Sequence, residues 1–122
     1  MARDDMSVIF YKILTYFYRV AKAGEKPRYE DYCCKCKMFD IPESYWNLIM
    51  SELVDRGYLK GFGRVTVKGP DLIQPMDDAS ITFEGVQFLE DNAKMKEVKH
   101  ILGASFEVLM NSIIQAVIHG VL

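Results

Sequence analysis

An α+β fold, mostly α, follows from three features of the sequence. An amphipathic helical run precedes Gly24, a second runs from Glu43 to a stop at Gly57, and alternating strand-like residues come directly after it. Three helices, then a small β-hairpin wing, then a closing helix is the order of a winged helix-turn-helix, to which an additional long C-terminal helix is joined. With 122 residues, half of them hydrophobic, the chain is long enough for one domain with a true core and too short for two independent ones. The expected division is a winged-helix domain over residues 1–92 and a C-terminal helical extension over 93–122 that acts as an oligomerisation element.

Residues 4–23 place Met6, Ile9, Phe10, Ile13, Leu14, Phe17, Val20 and Ala21 on one arc, with Lys12, Thr15, Arg19 and Lys22 opposite. Asp4 and Asp5 suit the positive end of this helix, and Gly24 is a natural stop with Pro27 behind it. Tyr11 and Tyr18 fall on the polar side, so they are either ordinary surface residues or lie under a later helix. A second helix is predicted over residues 29–39, with Glu30 and Asp31 early and Lys35 and Lys37 late, as the helix dipole favours. Pro42 fits the first turn of the third helix, where its missing N–H costs little. There Tyr45, Trp46, Ile49, Met50 and Leu53 share a buried arc, and Ser44, Asn47, Leu48, Ser51 and Asp55 face outward.

After Gly57, residues 58–62 and 64–68 alternate as two strands, Gly69 and Pro70 mark a turn, residues 71–74 form a third short strand, and residues 75–80 are a loop. Thr82 is the predicted N-cap of a helix through Phe83, Val86, Phe88 and Leu89 to Asn92. Residues 93–100 form a polar helical bridge, and residues 101–122 are mostly apolar.

Two phrases, S-E-L-V-D-R-G-Y-L-K-G (residues 51–61) and A-S-I-T-F-E-G-V-Q-F-L-E-D-N (residues 79–92), resemble the YjcQ-like family of small winged-helix proteins of bacteria and their phages. The resemblance covers roughly residues 5 to 95. It implies that the first phrase ends the third helix and enters the hairpin, and that the second opens the helix after the wing. The matching positions serve packing and turns, so it implies no catalytic residue. The long apolar tail after Gly103 departs from the shorter ending expected of such a family.

Fifteen Lys and Arg against seventeen Asp and Glu give a net charge of -2, which provides no global attraction for a phosphate backbone. The basic excess lies in the first helix region, where Arg3, Lys12, Arg19, Lys22, Lys26 and Arg28 outnumber Asp4, Asp5 and Glu25. In a DNA-binding reading, Ser44, Asn47 and Ser51 meet base edges, while Arg64 and Lys68 on the wing, with Lys35 and Lys37 before it, hold phosphates. Glu43, Glu52 and Asp55 oppose that reading. Two functions therefore stand open: a DNA-binding transcriptional regulator acting as a homodimer, and a protein–protein adaptor of phage or mobile-element origin that binds no DNA.

Cys33, Cys34 and Cys36 sit too close in sequence to converge on one tetrahedral metal from a single helix, and no distant cysteine could close a disulfide framework. No metal and no cofactor is expected. Gly61-Phe62-Gly63 is not a phosphate loop, and Asp77-Asp78 reads as a solvated turn, so no enzyme activity is expected either. The tail carries Phe106, Leu109, Met110, Ile113, Val117 and Val121 on its apolar side and Ser112, Ala116 and Gly120 on a small-residue ridge. A homodimer is expected through Phe106, Leu109, Met110, Ile113, Ala116, Val117 and Gly120. Cis packing on the first helix is a competing burial. Membrane insertion is disfavoured by Glu107, Asn111 and Gln115. With acids where a secretory signal needs positive charge, a cytoplasmic location is expected.

Overall fold

The structure, a computed structural model, describes residues 1–66, 68–69 and 71–120. Val67 of the expected second strand, Pro70 of the expected turn and Val121 of the tail lie outside the described residues. The architecture is α+β and mostly helical, with a two-stranded antiparallel hairpin and a long C-terminal helix.

Helix α1 (Met6–Lys22) is the pillar of the molecule. Val8, Ile9, Ile13, Leu14, Phe17 and Val20 are buried, and so are Tyr11, Lys12, Thr15 and Tyr16. The polar side expected at Lys12 and Thr15 is covered because the C-terminal helix lies across it, whereas Ala21, expected inside, is exposed. Lys12 is only 9% exposed and donates its ammonium to the Met38 carbonyl at 2.9 Å.

Helix α2 (Tyr29–Tyr32) is a single turn, shorter than the helix predicted over residues 29–39. It stops at Cys33, whose backbone is extended. The chain then doubles back: Cys36 N–H bonds the Phe39 carbonyl and Ile41 N–H bonds the Cys34 carbonyl, each at 2.9 Å, and Lys35 bridges Asp40. A regular helix would hold Met38 about 120° around the axis from Tyr32. The tight return instead lets Tyr32, Met38, Phe39 and Ile41 all enter the core.

Helix α3 (Glu43–Asp55) buries Trp46, Ile49, Met50 and Leu53 as its periodicity predicts. The Trp46 indole N–H reaches the Tyr32 carbonyl at 2.7 Å, which satisfies the ring's one polar atom. Tyr45 is half-buried at the edge, its hydroxyl donating to the Asp4 carbonyl at 2.8 Å.

Strand β1 (Leu59–Val65) pairs with strand β2 (Leu72–Ile81), from Leu59 opposite Ile81 to Val65 opposite Leu72. Residues 58–62 and 64–68 are therefore not two paired strands; β1 runs through Gly63. Residues 75–80, expected as a loop, belong to β2 but carry the irregularity of the ladder, because Lys60 pairs with Ser80 while Phe62 already pairs with Pro75. Gly61 explains it. Its φ is +79°, and a Cβ there would stand 2.5 Å from the Asp78 carbonyl carbon, so the bulge closes around a residue with no side chain.

Helix α4 (Phe83–Asp91) is capped as predicted, the Thr82 hydroxyl accepting from Gly85 N–H at 2.9 Å while donating to the Gly57 carbonyl. Gly85 lets α4 press on the chain before β1, since a Cβ would be 2.3 Å from the Tyr58 carbonyl oxygen. Helix α5 (Ala93–His119) starts on an Asn92 cap and breaks at Gly103, whose φ of 63° and ψ of -154° are not helical. Residues 93–100 are more than a bridge: Met95 and Val98 are fully buried. Phe106, Met110, Ile113, Ile114 and Val117 belong to the same hydrophobic core as α1 and α3, so the segment expected as an extension shares one core with residues 1–92.

Candidate functional site

Between the outward face of α3 and the hairpin runs an open groove of about 570 Å³. Ser44, Leu48 and Ser51 form one wall and Arg64 and Leu72 the other. Leu48 is 50% and Leu72 40% exposed, so the groove presents apolar surface that the chain itself leaves open. Its position follows from the sequence locally: α3 ends at Gly57, β1 departs at once, and the return strand β2 passes back over the helix.

Asn47 joins the two walls. Its side-chain N–H donates to the Asp71 carbonyl at 2.7 Å, and its carbonyl accepts from Ile73 N–H at 2.8 Å. The amide expected to meet a base edge thus makes its paired hydrogen bonds with the backbone of Asp71 and Ile73, at the start of the return strand. Beside it, the Thr66 hydroxyl donates to the Asp71 carboxylate at 2.6 Å and steadies the return of the hairpin.

The phosphate-holding set is divided by the fold. Arg64 is ion-paired with Asp55, and Arg56 with Glu52 at 3.0 Å, so the guanidinium on the groove and the one capping α3 are each matched to a carboxylate of α3. Lys68 is exposed at the hairpin end. Lys35 lines a second cleft with Glu43 and Asn47, and Lys37 lies elsewhere, near Arg3, Asp4 and Lys12. Ser44 and Ser51, expected on the outward face of the third helix, line the groove. The rim is acidic, with Glu43 and Asp71 both lining it.

The tail residues expected between two copies are largely spoken for. Phe106, Met110, Ile113 and Val117 are buried within the chain, Leu109 and Ala116 are half-buried, and Gly120 ends α5 in a left-handed conformation. The Phe106 ring packs on Tyr11 with centroids 5.9 Å apart. Arg19 holds the other side of the same contact, pairing with Glu107 and donating to Asn111 at 3.2 Å. Glu107 and Asn111, two of the polar groups of the tail, thus form an intramolecular clasp with Arg19. By length and composition α5 would also suit a membrane crossing, but much of its apolar side lies against α1. Ile101, Val108 and Ile118 stay exposed.

Cys33, Cys34 and Cys36 are half-buried free thiols. Cys33 Sγ lies 3.1 Å from the Lys35 carbonyl, and burial pushes the Cys36 thiol up from its ordinary range. Among the described residues no group of three or more His, Cys, Asp or Glu side chains is placed to hold a metal ion.

A polar network that periodicity did not reveal ties α1 to α2. The Tyr16 hydroxyl donates to Asp31 at 2.6 Å and accepts from Arg28 N–H at 2.9 Å, while Arg28 Nε donates to the same carboxylate at 3.1 Å. Burial, with the Asp31 carboxylate adding to it, drives the Tyr16 phenol far above its usual range, and burial does the same to Tyr32. Leu72 and Asp71 were likewise not singled out as site residues. The available signal was Leu48, an apolar side chain set among the small polar residues of an outward face.

A family model described as YjcQ protein matches residues 11–104, from within α1 to the residue after the Gly103 break. No curated protein and no solved structure matches the chain.

Proposed function

This chain belongs to the YjcQ family, and we propose that it is a winged-helix module that docks a protein segment in the α3–hairpin groove instead of reading operator DNA. The winged-helix reading is supported by the order α1, α2, α3, β1, β2 and by a hairpin folded back beside α3. The protein-binding reading is carried by Asn47. A base-reading amide has to be free, and this one already bonds Asp71 and Ile73.

Two further features support it. Arg64, the wing cation nearest the groove, is neutralised by Asp55, and the rim adds Glu43 and Asp71. Such a rim repels a phosphate backbone and complements Lys or Arg flanking an apolar anchor that fits between Leu48 and Leu72. The ligand class is thus a short amphipathic segment, apolar on one side and basic at its edges.

From a display library of randomised peptides, the full chain is expected to select segments that combine a large apolar side chain with Lys or Arg. Leu48→Asp should abolish their capture without unfolding the protein. Salt-sensitive binding of a mixed-sequence DNA duplex that weakens on Arg64→Ala and Lys68→Ala would overturn the reading and restore the regulator.

A further inference from the structure

The groove leaves the basic surplus of the N-terminal region unused, and that surplus has its own concavity. A cleft of about 330 Å³ opens between α1 and the junction of α4 with α5. Thr15, Tyr18, Arg19 and Lys22 line it from α1, and Lys96 and Lys99 from the start of α5. Among the described residues its lining holds one carboxylate, Glu90. We infer that this cleft is a binding site for a small phosphorylated anion.

Three observations carry the inference. First, the cations are arranged. Arg19 is fixed by Glu107 and Asn111, and Lys22 Nζ is held over the Tyr18 ring at 4.3 Å, a contact that keeps its charge intact. Second, Lys22, Lys96 and Lys99 have no ion-pair partner among the described residues, and Lys96 and Lys99 are like charges at i, i+3 on one helix. That spacing is mildly unfavourable to the helix, and a counter-anion between them and Lys22 would relieve it. Third, Thr15 is 5% exposed and its Oγ1 completes no hydrogen bond of normal geometry; the Tyr11 hydroxyl, which also lines the cleft, lies close enough to act on it, so the two hydroxyls form one polar pair at the cleft floor. A buried hydroxyl pair with unused hydrogen-bonding capacity beneath a basic cleft marks a place where a polar ligand completes the site.

The chemistry follows from the donors. The three ammonium groups act as mobile point charges suited to the oxygens of phosphate or pyrophosphate, while the Arg19 guanidinium, matched by Glu107, frames the cleft. The size sits at the lower end of small-ligand pockets, which admits a phosphate group with a small attachment and not a nucleic-acid duplex.

The test uses the full chain and pyrophosphate as probe, followed by amide NMR shifts at constant ionic strength with sodium chloride as control. Saturable shifts confined to the second half of α1 and to residues 89–99 are expected. The double reversal Lys96→Glu with Lys99→Glu, on an exposed face, should weaken the affinity by about tenfold or more, and Thr15→Val should weaken it too. Shifts reproduced by chloride, or an affinity indifferent to the double reversal, would overturn the proposal. Binding unchanged in Thr15→Val would also overturn it, because only a diffuse basic surface would then remain. Duplex DNA competing at the same residues more tightly than pyrophosphate would reassign the cleft to nucleic acid and equally end the small-anion reading. Because this cleft shares no residue with the α3–hairpin groove, either site can fail without the other.

Discussion

Helices α1 and α3 have the same kind of amphipathic sequence and meet different ends. Around α1, the hydrophobic arc faces α3 and the hairpin while the polar side lies under α5, so a lysine, a threonine and the rings of Phe10, Tyr11, Tyr16 and Phe17 are all enclosed. Around α3, the buried arc stops at Trp46, Ile49, Met50 and Leu53, and the opposite side opens into the groove. Whether a polar helix face becomes interior or a binding surface is decided by what the rest of the chain lays over it. At α1 the cover is a whole helix; at α3 it is one asparagine reaching two backbone groups.

The sharpest way to break the contrast is to uncover α1. Phe106→Ala removes the ring that packs on Tyr11, and a buried Phe→Ala truncation costs about 3–5 kcal/mol. Chemical denaturation should show that loss, and α5 amides should exchange faster than those of α3. A small effect on both would mean that α5 is not part of the core in solution.

Alkaline pH separates the same two regions more gently. The Tyr16 and Tyr32 phenols titrate far above their ordinary value of 10.0 because burial disfavours the phenolate. The fold keeps these protons while the unfolded chain sheds them, so the stabilisation is complete below pH 10.0 and declines as pH rises beyond it. Each phenol contributes about 1.4 kcal/mol of loss per pH unit above that point. Lys12 runs the other way. Burial lowers its ammonium below the ordinary 10.5, so its penalty is full at low pH and relieved as pH rises through the lowered value. Stability should therefore fall at alkaline pH, and Lys12→Met, which removes the opposing group, should steepen the fall between the lowered Lys12 value and 10.5.

At α3 the expected effects are smaller. Asn47→Ala deletes both bonds to β2 and should cost about 1–2 kcal/mol, with the hairpin amides near Ile73 losing exchange protection first. If stability were unchanged while DNA affinity fell, Asn47 would be a reader after all. Leu48→Ser, on the open face, should change stability by less than about 0.5 kcal/mol while removing captured peptides.

Much of this architecture was legible in the sequence. The arcs of α1 and α3, the Thr82 cap and the helical tail all follow from periodicity and local capping chemistry, which act within a few residues. The second helix failed as a prediction because Met38 and Phe39 gain more from a tight return into the core than the helical ladder offers. The hairpin register failed because the pairing of β1 with β2 turns on a backbone approach at Gly61 that no alternation pattern encodes. Ser44, Ser51 and Arg64 all line the groove, but Asn47 and Arg64 have partners that only the return of the hairpin and Asp55 could supply.

By itself the sequence determined which faces are apolar, where helices start and stop, and that no strong basic field surrounds α3, since these depend on residue type and spacing along one segment. The tertiary structure alone decided which polar groups are already spent. Asn47, Arg19, Tyr16 and Lys12 each bond to residues at least twelve positions away, and such pairings exist only once separate elements have docked. For this reason Asn47, the side chain of α3 whose amide best suits base reading, turns out to hold the hairpin in place.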